Sequence, residues 1–270
     1  MALKKKITFI FKIKRKNFSK YIAFQNTYGI IGHERMIYMF ESSQNEAILN
    51  RIKGGLIVSC QALADEPLYS SMIMGRMALA AKEGGACGIR ANTPEDIAEI
   101  KKTVDLPIIG LTKCSKPKCS VYITPTMEEV DNLCAVGCEI IAMDATLRLR
   151  PDGSTINTLF PKILEKYSGQ MFMADVATYE EGINAQRLGF DLVSTALSGY
   201  TGDTKNRQLP DFELMGRLAA DLKIPVLAEG GIWSPDDLKK AMDQGVFACV
   251  VGTAITRPRD ITRRFISALK

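Results

Sequence analysis

The chain has 270 residues, of which 46% are hydrophobic and 24% are charged, a composition that can bury the core of an ordinary globular domain. No apolar run approaches the roughly 20 residues of a membrane helix, so we expect no membrane partner. The formal charge of +5 comes from residues 1–46, which hold nine Lys/Arg and three Glu. The remaining 26 basic and 27 acidic residues nearly cancel, so we expect no nucleic-acid partner.

Residues 1–46 are basic and aromatic, unlike the rest of the chain. Their apolar stretch ITFIF is too short for the core of a signal peptide, and no small-residue cleavage site follows it. We predict a poorly ordered N-terminal extension, or a start-site artefact, followed by a catalytic domain over 47–270. A basic arm that touches RNA or anionic lipid is the alternative. The only histidine, His33, lies in this extension, so imidazole-based metal sites and acid–base pairs are excluded from the domain.

Eight short, mostly apolar runs follow, and amphipathic helical patterns separate them. Such runs are typical of parallel strands that are buried on both faces. Strands that alternate with helices predict an α/β fold that closes as a single-domain (β/α)8 TIM barrel. The predicted strands are Leu56–Gln61, Cys87–Ala91, Pro107–Lys113, Glu139–Ala145, Met171–Val176, Phe190–Ala196, Pro225–Gly231 and Ala248–Ala254.

Nearly every predicted strand ends in a titratable or glycine residue, and in this barrel those ends meet at one mouth. Lys113 ends the third strand, where loss of solvation would lower its pKa and make it a base; an exposed loop lysine is the alternative. Glu229 ends the seventh strand, and a structural carboxylate at the Gly-Gly turn is its alternative. Because these strands are four apart, we expect the two side chains to flank a substrate from opposite sides.

Other strand ends carry charged or polar side chains that could contact a ligand. The fork of Arg90 fits carboxyl, hydroxyl or carbonyl oxygens, although it could instead pair with Asp175 or Asp144 to neutralise buried charge. Asp144 could equally orient neighbouring residues. Gln61 offers neutral hydrogen bonds, and the sequence does not separate substrate binding from structural pairing for it.

Two glycine-containing segments follow the seventh and eighth strands. Gly230-Gly231 precedes a helix, and Gly252-Thr253 is followed by Arg257. The loops after these two strands are the usual phosphate site of a TIM barrel, because free backbone N–H groups point at the anion there. The two segments together predict a phosphorylated small-molecule ligand.

Several segments resemble the N-acetylmannosamine-6-phosphate 2-epimerase family. They are GLIVSCQALADEPL (Gly55–Leu68), IMGRMALAAKEGGACGIRA, YITPTMEEVD, MADVATYEEG, VSTALSGYT, AEGGI and VGTAITRP. The similarity runs from about Ala47 to Lys270, essentially the whole predicted barrel. In two places the sequence departs from the family pattern. Cys114-Ser115-Lys116 follows Lys113 instead of an arginine or polar residue and an aromatic, and Gly231 stands where a larger residue is common.

The resemblance implies a metal-free barrel without a cofactor. It implies interconversion of N-acetylmannosamine 6-phosphate and N-acetylglucosamine 6-phosphate in the breakdown of sialic acid or mannosamine, and it suggests a homodimer. It places the family's catalytic residues on Lys113 and Glu229, and its sugar- and phosphate-contacting residues on Gln61, Arg90, Asp175 and Arg257.

We therefore expect an isomerase that inverts C2 of the sugar phosphate by removing and returning the C2 proton. A Schiff-base sugar-phosphate aldolase with Lys113 as nucleophile is one rival. The other is a non-catalytic sugar-phosphate-binding barrel that uses the basic arm as a nucleic-acid tether. Seven cysteines without a CxxC pair are typical of small buried residues in a reducing compartment, so we expect a cytoplasmic protein.

Overall fold

The computed structural model of the protein describes residues 33–117 and 119–269, with side chains from residue 43 onward. The predicted poorly ordered extension therefore lies largely outside the described residues. The chain divides by its internal contacts into two units, Met1–Gln44 and Asn45–Lys270. The described part of the first unit is helical and belongs to helix α1 (His33–Ile52). The second unit is the barrel.

Eight parallel strands close into a barrel in chain order, each paired with its two neighbours. This confirms the predicted (β/α)8 barrel and its eight strands, of which seven are shorter than predicted and the second is shifted by one residue. The strands are β1 (Leu56–Cys60), β2 (Gly88–Asn92), β3 (Ile108–Leu111), β4 (Ile140–Asp144), β5 (Met171–Asp175), β6 (Leu192–Ser194), β7 (Val226–Glu229) and β8 (Ala248–Val251).

The helices between the strands begin and end at residues that satisfy their free backbone groups. Capping boxes at Thr126–Glu129, Thr178–Glu181 and Ser234–Asp237 pair N–H groups at three helix starts, and Gly137 and Gly189 end two helices with positive φ. The further helices are α2 (Ser71–Glu83), α3 (Pro94–Thr103), α4 (Met127–Val136), α5 (Ile156–Lys166), α6 (Tyr179–Leu188), α7 (Phe212–Asp221), α8 (Pro235–Asp243), α9 (Thr253–Thr256) and α10 (Pro258–Ser267).

Side chains along each strand alternate between two hydrophobic cores. Ile57, Ile109 and Met173 belong to the core inside the barrel, whereas Ile89 and Phe172 belong to the core under the helices. The alternation continues to the C-terminal ends, where inward positions turn polar at Arg90, Asp144, Asp175, Ser194 and Glu229. The barrel therefore carries a layer of buried polar groups at one end. Among the described helices, none is long and apolar enough to cross a membrane.

Candidate active site

A cavity of about 460 Å³ opens at the C-terminal ends of the strands. A second groove of about 570 Å³ runs beside α6 and α7, but no residue predicted for the site lines it. The cavity at the strand ends contains nine of the ten predicted residues: Gln61, Arg90, Lys113, Glu229, Gly230, Gly231, Gly252, Thr253 and Arg257. The predicted site residues thus come together in one place.

Lys113 lies just beyond the end of β3, although the sequence placed it within the strand. Its backbone N–H donates to Asn92 Oδ1 at 2.7 Å, and the residue forms an antiparallel bridge with Ile123. The backbone is therefore fixed from two sides, while the half-buried side chain lines the cavity. Burial, aided by the positive charges of Arg90 and Arg257, lowers the pKa of Lys113 from 10.5 to about 8.

Glu229 is held through its backbone and through one carboxylate oxygen. Its N–H donates to Thr195 Oγ1 at 3.0 Å, and Thr195 Oγ1 donates to its carbonyl oxygen at 2.8 Å. Carboxylate Oε2 accepts from Arg90 Nη1 and, at 3.1 Å, from Ser194 Oγ. Within the described part of the chain nothing donates to Oε1, and Oε1 is not one of the buried atoms without a partner. Oε1 is therefore the oxygen that is open to the cavity.

Arg90 joins Glu229 to the buried carboxylate of Asp175. Its Nη1 and Nη2 donate to Asp175 at 3.2 and 2.5 Å, and Nη1 also donates to Glu229. Burial opposes the charge on Arg90, yet the two carboxylates hold its pKa above the ordinary range. Burial raises the pKa of Asp175 to about 7, although Arg90 favours its charged form. Asp175 is fully buried and does not line the cavity, so Arg90 separates it from the open space.

The remaining predicted carboxylate, Asp144, is engaged elsewhere. Its Oδ2 accepts from Arg148 Nη2 at 2.6 Å, and its Oδ1 accepts from Thr146 Oγ1 at 2.7 Å. The alternative in which Arg90 pairs with Asp144 is therefore wrong, whereas the pairing with Asp175 is present. The described residues contain no group of three or more His, Cys, Asp and Glu side chains arranged to hold a metal ion.

One end of the cavity is lined by backbone N–H groups and arginines. No acceptor among the described residues pairs with the N–H groups of Gly230, Gly231 and Gly252. Arg257 and Arg259 both line this end. Arg259 Nη2 donates to Glu66 at 3.1 Å, and Arg257 forms an ion pair with the same carboxylate at 3.1 Å. This end thus has the charge and the free donors that suit an anion.

Gly231 is required by the geometry of this turn. Its φ of +72° is one that other residues rarely adopt, and a Cβ there would lie 2.5 Å from Leu209 Cβ. Gly230, with a φ of +105°, lies under Tyr200, whose ring would be 3.8 Å from an added Cβ. The small residue after Glu229-Gly230, a departure from the family pattern in the sequence, therefore fits its surroundings in this chain.

Residues 74–270 match a family model described as "Putative N-acetylmannosamine-6-phosphate epimerase". A relative from Clostridium perfringens (strain SM101 / Type A), named as a 2-epimerase for the same compound, is 56% identical over 223 residues, 83% of this chain and 100% of the relative. A relative of the same name from Caldanaerobacter subterraneus subsp. tengcongensis is 52% identical, over 83% of this chain and 94% of the relative.

The chain belongs to the N-acetylmannosamine-6-phosphate epimerase family. A solved structure of the N-acetylmannosamine-6-phosphate 2-epimerase from Clostridium perfringens is similar to it with a TM-score of 0.78 and 54% identity, and the match covers 82% of this chain and 96% of the other. A thiamine phosphate pyrophosphorylase from Pyrococcus furiosus, at 22% identity and a TM-score of 0.53, shares the fold alone. The resemblance found in the sequence is thus confirmed.

Sequence reasoning missed several residues of this epimerase-family site. Ser194 and Thr195 hold Glu229, Asn92 holds Lys113, and Glu66 holds Arg257. A signal existed for two of them. Ser194 follows Leu192 at the inward phase of β6, and Asn92 follows Arg90 at the inward phase of β2, so both are strand ends that a search for charged and glycine residues misses. Thr195 and Glu66 lie outside the strands, where no periodicity marks them.

Proposed function

We propose that Lys113 and Glu229 form the acid–base pair with which this barrel interconverts N-acetylmannosamine 6-phosphate and N-acetylglucosamine 6-phosphate. The observation that carries the proposal is their placement. An amine with a pKa of about 8 and an open carboxylate oxygen line one cavity from β3 and β7, which are four strands apart in the barrel. Such a pair reaches a carbon between them from two faces, as inversion of C2 requires.

The chemistry follows from the open-chain sugar. The C2 proton is acidic because it is α to the C1 aldehyde, and its removal gives an enolate. A proton added to C2 from the opposite face then inverts this carbon. The pair carries one proton in two forms: Glu229 carboxylate with Lys113 ammonium, or Glu229 carboxylic acid with Lys113 amine. In the first form Glu229 removes the C2 proton and Lys113 supplies the new one, which leaves the second form. The second form performs the reverse reaction, and the net charge of the pair does not change.

The enolate oxygen needs a positive neighbour. Lys113 is better placed than Arg90 for this, because the Arg90 guanidinium is 2% exposed and both of its terminal nitrogens already donate to carboxylates. Gln61 is a candidate for direct contact with the sugar, since its buried Oε1 has no partner among the described residues. We assign this oxygen to a substrate N–H or O–H, because a buried acceptor left unpaired costs about 1–3 kcal/mol.

The phosphate would occupy the end of the cavity formed after β7 and β8. The N–H groups of Gly230, Gly231, Gly252 and Thr253 and the guanidinium of Arg257 supply donors and charge there. The phosphate is at the end of the sugar that is farthest from C1. Its binding would therefore hold the substrate by that end and orient C2 between the acid and the base.

The test is a proton NMR time course in D2O with N-acetylmannosamine 6-phosphate and no added metal. We expect N-acetylglucosamine 6-phosphate with deuterium at C2, and we expect Lys113→Met and Glu229→Gln to lose most turnover while keeping their circular dichroism spectra. Near-normal turnover in either variant would refute the assigned pair. Trapping of substrate on Lys113 by borohydride would instead favour the Schiff-base aldolase.

We also propose a homodimer and a cytoplasmic place in sialic-acid or mannosamine breakdown. Helix α10 has no buried residue, and Phe265, Ile266 and Leu269 at its end are 73%, 50% and 82% exposed. An apolar surface of this kind favours association with a second copy. Light scattering after gel filtration measures the mass, and a monomer at micromolar concentration would contradict the dimer.

A further inference from the structure

Ser194 is the inward-facing residue at the C-terminal end of β6. Its side chain is fully buried, and it is separate from the residues that line the cavity. Strand pairing places it beside Asp175 of β5, at the level of the buried polar layer. A hydroxyl in such a place needs a hydrogen-bond acceptor, and the one that it has is Glu229.

The hydrogen bond makes the two oxygens of Glu229 unequal. Ser194 Oγ donates to Oε2 at 3.1 Å, and Arg90 Nη1 donates to the same oxygen. Oε1 receives no hydrogen bond from any residue in the described ranges. The two donors hold Oε2 in place, so Oε1 is the oxygen that is free to exchange a proton with the substrate.

We propose that Ser194 is a positioning residue for the epimerisation: with Arg90 it fixes Oε2 of Glu229 and turns Oε1 toward C2. The inference rests on the acid–base role proposed for Glu229. It gives Ser194 no contact with the substrate, because the hydroxyl lies behind the carboxylate.

Other charged or titratable groups also face Glu229 from the elements around it. They are Arg90 on β2, Asp175 on β5, Lys113 after β3 and Tyr200 after β6. Of these, Arg90 alone donates to Oε2 within the described residues. Loss of the Ser194 hydroxyl therefore removes one of two donors, and none of the other groups is placed to replace it.

The experiment measures kcat and KM of Ser194→Ala at pH 7 with N-acetylmannosamine 6-phosphate. The carboxylate loses one of the two donors that orient it, so we expect kcat to fall about tenfold. KM should stay within about twofold, since no substrate contact is removed. Ser194→Thr keeps the hydroxyl and should restore kcat.

Ser154→Ala is the matched control. Ser154 Oγ is also a buried hydroxyl, but it lies in the loop between β4 and α5 and is not one of the donors to the Glu229 carboxylate. The control should keep the wild-type kcat. Circular dichroism and a melting curve check that Ser194→Ala folds.

Two outcomes separate the inference from the function on which it rests. If Glu229→Gln is inactive but the kcat of Ser194→Ala matches wild type, the positioning role is refuted and the acid–base pair stands. If Glu229→Gln stays active, both are refuted. A Ser194→Ala enzyme with a raised KM and an unchanged kcat would also overturn the inference, because it would indicate a substrate contact.

Discussion

Replacement of Lys113 by methionine should make the protein more stable while it removes activity. The lysine side chain is half-buried beside Arg90 and Arg257, and burial lowers its pKa from 10.5 to about 8. That difference corresponds to at most about 3 kcal/mol of destabilisation by the charged form. Solvent screening of a partly exposed amine reduces the figure, so we expect a gain of about 1–3 kcal/mol at pH 7.

The gain should depend on pH in a defined direction. Below about pH 8 the amine is charged in both the folded and the unfolded protein, so the full penalty of burying the charge is present. Between about pH 8 and 10.5 the folded protein releases this proton before the unfolded chain does, and the penalty fades. The stability of the Lys113→Met variant should therefore exceed that of wild type most below pH 8 and converge with it above pH 10.

Urea unfolding followed by circular dichroism at pH 7, 8.5 and 10 measures the midpoints for both proteins. Lys223→Met is the control, because Lys223 is exposed and its replacement should give no pH-dependent difference. A Lys113→Met variant that is less stable than wild type at pH 7 would refute the reasoning. So would a stability gain that is unchanged between pH 7 and 10, since it would come from packing and not from charge.

Four further predictions concern the same cavity. In the direction in which Lys113 is the proton donor, the kcat/KM of wild type should fall about tenfold per pH unit above about pH 8, as Lys113 loses its proton; a flat profile to pH 10 in both directions would contradict this. Arg257→Met should raise KM for the sugar phosphate about tenfold or more and weaken inhibition by inorganic phosphate, with kcat changed less. The pH above which kcat falls should be higher than the pH above which kcat/KM falls, because the bound phosphate raises the pKa of Lys113. The same series of measurements gives both values. Gly231→Ala should lower the melting temperature and cost more than about 1 kcal/mol, because its φ is +72° and its Cβ would meet Leu209.

The barrel was predictable because its information is local and repeated. Each strand is a mostly apolar run of three to five residues with a helix after it, so errors of up to three residues at the ends do not change the topology. Lys113 illustrates this: β3 ends before it, yet it still reaches the mouth because its phase matches that of Ile109. The convergence of strand ends is a property of the closed barrel and follows once the strands are known.

The partners within the site were less predictable, because they depend on which side chains meet across the barrel. The sequence offered Asp175 or Asp144 for Arg90, and nothing local indicated that Glu229, 139 residues away, shares the same guanidinium. Ser194 escaped notice for a different reason: a serine at the end of an apolar run carries no charge, so its role appears only when its neighbour is known.

The charges in the cavity connect substrate binding to proton transfer. In the protein as described, Arg90 and Arg257 both lower the pKa of Lys113, and Glu229 and Asp175 oppose them. A phosphate group seated at Arg257 brings two negative charges to that side, which offsets the effect of this arginine on the amine. The pKa of Lys113 should then rise when substrate binds, so that the ammonium needed as proton donor is kept at a pH where the free enzyme begins to lose it. The phosphate would therefore act on the chemistry as well as on affinity. Above about pH 8, a sugar without it should lose kcat as well as binding, because its complex leaves Lys113 under the unopposed charge of Arg257.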